Sequence, residues 1–244
     1  MKREAKVARL SRIDGAFAAL DDAAAVVVPA HFPSDLCGRW TAGVLDARAF
    51  WNADFGGEQF SLGRAFYTHF EEERSAEYFA DPEGSDALVE RHAPGLQDAM
   101  RELVARATGV RVVPRRGWCG PGVHVFPPGG PVAARGGVVH FDTEGLPALH
   151  AGRRRPAITV VAMLAPPAGG GGLVVWDVRY DGRDHPTAKE RRAPRATIRS
   201  QIGDVVLIDS YRLHQIEGFE GGTPRVSATV HAAAPDAERW ETWF

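Results

Sequence analysis

In the stretch GGVVHFDTEG, His140 and Asp142 stand two positions apart behind an apolar, β-forming run. Residues i and i+2 of a strand share a face. With Val138, Val139 and Phe141 burying such a strand, the imidazole and the carboxylate would converge on one point. A pair of this kind can salt-bridge, cap a turn or bind a metal. A second histidine, His214, lies just past the apolar strand of GDVVLIDSYRLHQIEGF, where the sequence reads as the entry to a turn. Two imidazoles and one carboxylate form a three-donor set that leaves half of a metal's coordination sphere open.

Arg225 follows eleven positions after His214 and opens the segment RVSATVHAA. As a strand, this segment carries Arg225, Ser227, Thr229 and His231 on one face and Val226, Ala228 and Val230 on the other. A buried guanidinium needs a partner, and its planar fork matches a carboxylate. Arg225 with Ser227 is therefore a candidate receptor for one end of a dicarboxylate.

The ordered set His140-Phe141-Asp142, His214 and Arg225-Val226-Ser227 resembles the motif of the Fe(II)/2-oxoglutarate-dependent oxygenases, the prolyl-hydroxylase-like superfamily, over about residues 118–235. The resemblance implies a double-stranded β-helix with Fe(II) on His140, Asp142 and His214. It also implies that Arg225 and Ser227 hold the distal carboxylate of 2-oxoglutarate. O2 would then convert the keto acid to succinate and CO2 while a small-molecule substrate is hydroxylated. Desaturation and ring formation are other outcomes in this superfamily. Halogenases replace the carboxylate ligand with a small residue, so Asp142 argues against halogenation. In GVHVF, His124 and Phe126 occupy positions where many members carry Asn and Tyr. His124 is thus a candidate hydrogen-bonding partner of the 2-oxoglutarate carboxylate, and a satisfied core histidine is the alternative.

These residues need a scaffold. The chain of 244 residues is 44% apolar and 25% charged with net charge −2, an ordinary globular composition without the basic field of a nucleic-acid binder. The expectation is one α+β oxygenase domain over 1–244, with a mainly helical N-terminal buttress (1–109) and a mainly β, jelly-roll core (110–235). In the buttress, AAAVVV reads as a strand, and FPSDLCGRWTAGVL as a helix with Ser34 or Asp35 near its N-cap. The stretch from Gly84 to Val110 reads as helix, divided by Pro94 and ended by Gly109. The aromatic stretch AFWNADFGGEQFSLGRAFYTHF reads as core packing. Beyond residue 110, short β-rich runs alternate with Gly/Pro punctuation, the pattern of a sandwich, barrel or jelly roll.

The charged interruption at 177–198 is a candidate lid, with Arg179 and Arg183 able to close over an anion. An anionic small molecule or an amino acid is accordingly the expected substrate class, with no nucleic-acid or membrane partner. Glu144 reads as solvated surface with the site's mouth as the alternative, His231 as a core or rim residue, and His150 and His185 as non-ligands. Cys37 and Cys119 form no CxxC pair and read as reduced thiols. The N-terminus lacks a secretory h-region and no apolar run is long enough to span a bilayer, so a cytoplasmic location is expected. Two rivals are a cupin-like metal enzyme that does not use 2-oxoglutarate and a non-catalytic jelly-roll binding module. Arg225 with Ser227 argues against the first and the metal triad against the second.

Overall fold

Strand β1 (Val7–Arg9) runs parallel to β2 (Ala25–Val28), whose four residues are all buried, as expected of an apolar run covered on both faces. The computed structural model describes residues 4–244. Helix α1 (Ser34–Asp46) follows. Pro33, not Ser34 or Asp35, occupies its N-cap and no side chain caps it. Asp35 instead sits in the first turn, where a carboxylate complements the helix dipole, and pairs with Arg39 at 2.7 Å.

The aromatic stretch departs from a simple packing role. It builds an antiparallel hairpin of β3 (Asn52–Asp54) and β4 (Gln59–Leu62), followed by α2 (Phe66–Glu71). Helices α3 (Ser75–Ala80), α4 (Pro82–His92) and α5 (Leu96–Thr108) come next. The break after Pro94 and the stop at Gly109 fall where expected, with Gly95 and Gly109 in the left-handed region.

The β-rich half begins with β5 (Arg111–Pro114) and β6 (Gly122–Phe126), then the short helices α6 (Pro131–Arg135) and α7 (Ala148–Gly152). It continues with β7 (Ala157–Ala165), β8 (Gly169–Gly170), β9 (Leu173–Arg179), β10 (Arg195–Ile198) and β11 (Val205–Asp209). The last strands are β12 (Arg212–Ile216), β13 (Phe219–Glu220), β14 (Arg225–Ala233) and β15 (Arg239–Trp243).

Ten strands form one mostly antiparallel sheet in the order β1-β2-β11-β7-β14-β6-β4-β3, with β15 and β5 joined beside β14. Strands β10-β9-β12 form a second sheet, and β13-β8 a two-stranded ribbon. The segment before residue 110 is therefore not only a helical buttress, because β1 to β4 extend the large sheet.

Side-chain alternation divides the core. Val26, Val28, Val205, Leu207, Val226 and Val230 turn toward Trp40 and Val44 of α1 and Met100 and Leu103 of α5. Their neighbours Val27, Val206 and Ile208 turn the other way, onto Leu173, Val175 and Ile198 of the small sheet. The two sheets thus pack through β2, β11, β9 and β10. The polar face of β14 lies opposite the helices. Among the described residues no helix is long and apolar enough to cross a membrane.

Candidate metal centre and co-substrate pocket

His214 is in β12, not at a turn; it is buried and pairs across the small sheet with Val175. The segment carrying His140 is not the expected strand. It forms only one isolated β-bridge with β12, in which the amides of His140 and His214 each donate to the other's carbonyl at 3.0 Å. Val138, expected to be buried, is 77% exposed. Phe141 is the buried anchor of the run, packed with Val174, Trp176 and Leu213, with the half-buried Val139 against the same cluster. Burying one such ring stabilises by about 1.5–3 kcal/mol. With that ring turned one way, His140 and Asp142 must turn the other, so the i, i+2 relation holds without a ladder.

The three groups meet. His140 Nε2 lies 3.4 Å from one carboxylate oxygen of Asp142, and His214 Nε2 lies 3.4 Å from the other. One donor atom from each residue falls within 4.8 Å of the others. Both imidazoles are oriented by the same device: Nδ1 faces a backbone carbonyl two residues back, Val138 O at 2.8 Å and Arg212 O at 2.9 Å. A carbonyl can only accept, so Nδ1 carries a proton, and Nε2 is the ring atom turned toward Asp142. Burial alone would raise the Asp142 carboxyl, but His214 and His140 beside it hold it well below the usual carboxylate range. Two Nε2 atoms, each of which would give up its proton to a metal, and a buried carboxylate make a donor set that fits one cation.

Asp142 is itself positioned. Its amide donates to Ser210 O at 2.9 Å, and Thr159 Oγ1 lies 2.5 Å from its Oδ2. A carboxylate only accepts, so Thr159 donates and its oxygen is free to accept from His231 Nδ1 at 3.1 Å. His231 stacks on Trp243 and stands opposite Thr159 in the β14–β7 register. His231 is therefore part of the hydrogen-bonded support behind Asp142, a closer involvement than a rim position. Thr159 was legible as the only hydroxyl in the apolar run AITVVAML.

Arg225 is 2% exposed and reaches no carboxylate within ion-pair distance among the described residues. Its Nε donates to Gly171 O at 3.0 Å and its Nη1 to Ser227 Oγ at 2.9 Å. Burial lowers its pKa to about 10, which still leaves it charged at neutral pH. The guanidinium lies 5.3 Å from the ring centre of Phe126. A buried cation without a counter-ion is costly unless an anion arrives to meet it.

His124 faces Ser227 across the β14–β6 ladder. Burial, then the neighbouring His231 and Arg225, lower its pKa to about 3, so it is neutral, and its Nδ1 has no partner. His150 lies on α7 with Nε2 against Pro156 O, and neither it nor His185 joins the three-residue cluster.

Arg179 and Arg183, the two arginines expected to close over an anion, do not present free charges. Arg183 pairs with Asp181 and Glu190, and Arg179 lies 3.6 Å from Asp209. Glu144 is not simply solvated surface, since burial raises its carboxyl to about 7. Beside His140 opens a cavity of about 410 Å³ whose wall includes Gln59, Tyr67 and Glu71. Sequence reasoning missed these three because they come from the N-terminal segment and reach the site only through the β4–β6 pairing.

No protein-family model and no curated protein matches the sequence. Solved structures do match its fold. The chain is similar to the epimerase SnoN in complex with Fe3+, alpha ketoglutarate and nogalamycin RO, with 16% identity, 90% and 85% of the two chains covered, and a TM-score of 0.58. It is similar to an N-substituted L-amino acid dioxygenase from Burkholderia ambifaria AMMD at 18% identity, with both chains covered completely and a TM-score of 0.59. It is also similar to the carbocyclase SnoK from nogalamycin biosynthesis at 15% identity, covering 91% and 87%, with a TM-score of 0.55. The chain therefore has the fold of non-haem iron, alpha-ketoglutarate-dependent enzymes, as the motif resemblance implied.

Proposed function

We propose that the chain is an Fe(II)- and 2-oxoglutarate-dependent oxygenase that hydroxylates a small molecule with release of succinate and CO2. The observation that carries this reading is the conjunction of the converged His140, Asp142 and His214 with a buried, unpaired Arg225. A jelly-roll binding module needs neither feature, and a cupin-like enzyme that does not use the keto acid needs no buried cation. The similar structures support the cofactors: SnoN was captured with Fe3+ and alpha ketoglutarate. They also support a small-molecule substrate class. In this reading the two packed sheets are the walls of a double-stranded β-helix, with α1 and α5 as its helical buttress, in one domain over 1–244.

Each residue then has a role. The Nε2 atoms of His140 and His214 and the carboxylate of Asp142 hold iron, while Thr159 keeps the carboxylate oriented. Arg225 and Ser227 grip the distal carboxylate of 2-oxoglutarate, and neutral His124 offers a hydrogen bond beside it. Iron bound with the keto acid and O2 supplies the oxidising power to functionalise an unactivated C–H bond. The protein's share is to hold that bond in reach and exclude water. Adding Fe(II) and 2-oxoglutarate to the anaerobic protein should produce a weak visible charge-transfer band. Turnover under labelled dioxygen should place one oxygen atom in the product and one in succinate. A product with no added oxygen would exclude hydroxylation while retaining the cofactors, and the absence of the band would remove the oxygenase reading.

A further inference from the structure

The cavity beside His140 has a marked division of character. Its walls are mostly apolar, from Phe55, Phe126, Val132, Val138 and Ile216. Its volume of about 410 Å³ suits a small metabolite. Two of its three ionisable carboxylate and guanidinium groups cancel: Arg135 Nη2 grips both oxygens of Glu58 at 2.9 and 3.0 Å. The third, Glu71 at the end of α2, has no basic partner within ion-pair distance among the described residues. Burial raises its carboxyl above the usual range, with His140 and His185 acting in the opposite direction.

The cavity also offers aromatic faces. Phe55 and Tyr67 lie with ring centres 6.2 Å apart, and both line it. Gln59 Nε2 donates to the Tyr67 hydroxyl, and burial keeps Tyr67 protonated. Its ring and its hydroxyl are therefore neutral features of the wall. A carboxylate beside aromatic rings is a receptor for an organic ammonium, because the ring faces and the carboxylate both attract positive charge. The one arginine of the cavity wall, Arg135, is taken up by Glu58, and the two candidate lid arginines are paired as well, Arg183 with Asp181 and Glu190 and Arg179 with Asp209.

We infer that this cavity is the substrate site and that it selects a cationic small molecule, an apolar or ring-bearing body whose protonated amine pairs with Glu71. This rests on the oxygenase reading and replaces the anionic substrate suggested by the lid arginines.

The test compares 2-phenylethylamine, 2-phenylethanol and 3-phenylpropionate by calorimetry on the anaerobic protein loaded with Fe(II) and 2-oxoglutarate, with the charge-transfer band recorded on the same sample. The amine should bind at least tenfold tighter than the alcohol and the acid. Glu71→Gln should erase that preference, and Glu71→Lys should reverse it toward the acid. No measurable binding of the amine, an acid bound as tightly as the amine, or a preference surviving Glu71→Gln would each overturn the inference. A band without an amine preference sinks the cationic site alone. An amine preference without the band sinks the oxygenase reading and leaves the cationic site standing.

Discussion

His214 and His140 use the same local device and live in different structural settings. Each sets its tautomer by an Nδ1 contact to the carbonyl two residues back. His214 belongs to a strand paired with β9, and its side chain is 6% exposed. His140 rests on a segment with one bridge to that strand, and its side chain is 34% exposed. The site thus has a floor built into the sheets, comprising His214, Arg225, Ser227, Thr159 and His231. It also has a rim of His140, Glu71 and Tyr67 on a loop and a short helix. In the proposed reaction the floor holds the groups needed whatever the substrate. The rim faces the cavity inferred above to take the substrate, and it is the part that can change without disturbing a ladder.

The sharpest test of that contrast removes each histidine in turn. His214→Ala should abolish Fe(II) binding at near-stoichiometric protein, and His140→Ala should do the same, since both donors are needed. Stability should separate them. The His214 substitution leaves an empty space within a buried strand and should cost about 1–3 kcal/mol. The half-buried His140 site should cost less. Metal analysis after anaerobic loading, with urea unfolding of the apoproteins, reads both quantities. Full iron occupancy in His214→Ala would remove that residue from the centre, and equal destabilisation would erase the floor–rim distinction.

Next in size is the co-substrate grip. Arg225→Ala leaves a carboxylate without its charged partner, which costs roughly 2–5 kcal/mol of 2-oxoglutarate binding. Ser227→Ala removes one neutral partner of the guanidinium and should cost about 1 kcal/mol. Anaerobic titration followed by the visible band measures both. A 2-oxoglutarate affinity unchanged in Arg225→Ala would leave that buried cation without this role.

The floor was also the more legible part of the sequence. His-x-Asp, the distal histidine and Arg-x-Ser are residue types in a fixed order, and β14 alternates polar and apolar residues so plainly that its face could be assigned directly. The placement of His140 was misread because GGVVHF has the composition of a strand. Strand formation needs a partner ladder, and here β12 is offered at one residue only. His214 was misread the other way: RLHQI is too polar to advertise a strand, yet Leu213 is fully buried against Trp176 and Phe141. The rim was hidden because Gln59, Tyr67 and Glu71 lie far from the motif in sequence. They join it through non-local pairing that periodicity does not encode.

Thr159 probes the floor more gently. Thr159→Val keeps the shape and removes the hydroxyl that donates to Asp142 and accepts from His231. Outer-shell partners of this kind typically change metal affinity by about 10–100-fold. The variant should therefore bind Fe(II) in that range more weakly than wild type, in a competition titration against a chelator, while retaining 2-oxoglutarate binding at saturating iron. Unchanged iron affinity would show that Ser210 and the metal alone fix the carboxylate.

The smallest expected effect lies on the rim, where Gln215 ties the His140 segment to β12. Its Nε2 donates to Gly137 O at 2.7 Å, one turn of chain before His140, and the Gly137 amide donates to Ile216 O at 3.0 Å. Gly136 permits this close approach: its φ is +81°, and a Cβ there would stand 2.7 Å from Ile216 O. Gln215→Ala removes one hydrogen bond, worth about 1 kcal/mol. The Phe141 anchor and the His140–His214 bridge remain, so the segment should stay docked but open more often. Amide exchange at residues 137–140 should quicken about fivefold in the apoprotein, the factor that corresponds to about 1 kcal/mol. Exchange in β14 should be unaffected, and Fe(II) affinity should fall by no more than that factor, because iron binding closes the segment again. A loss of iron affinity as large as that of Thr159→Val would mean that the rim is as constrained as the floor. No change in exchange would place the burden of holding His140 on Phe141, the Gly137–Ile216 bond and the single bridge.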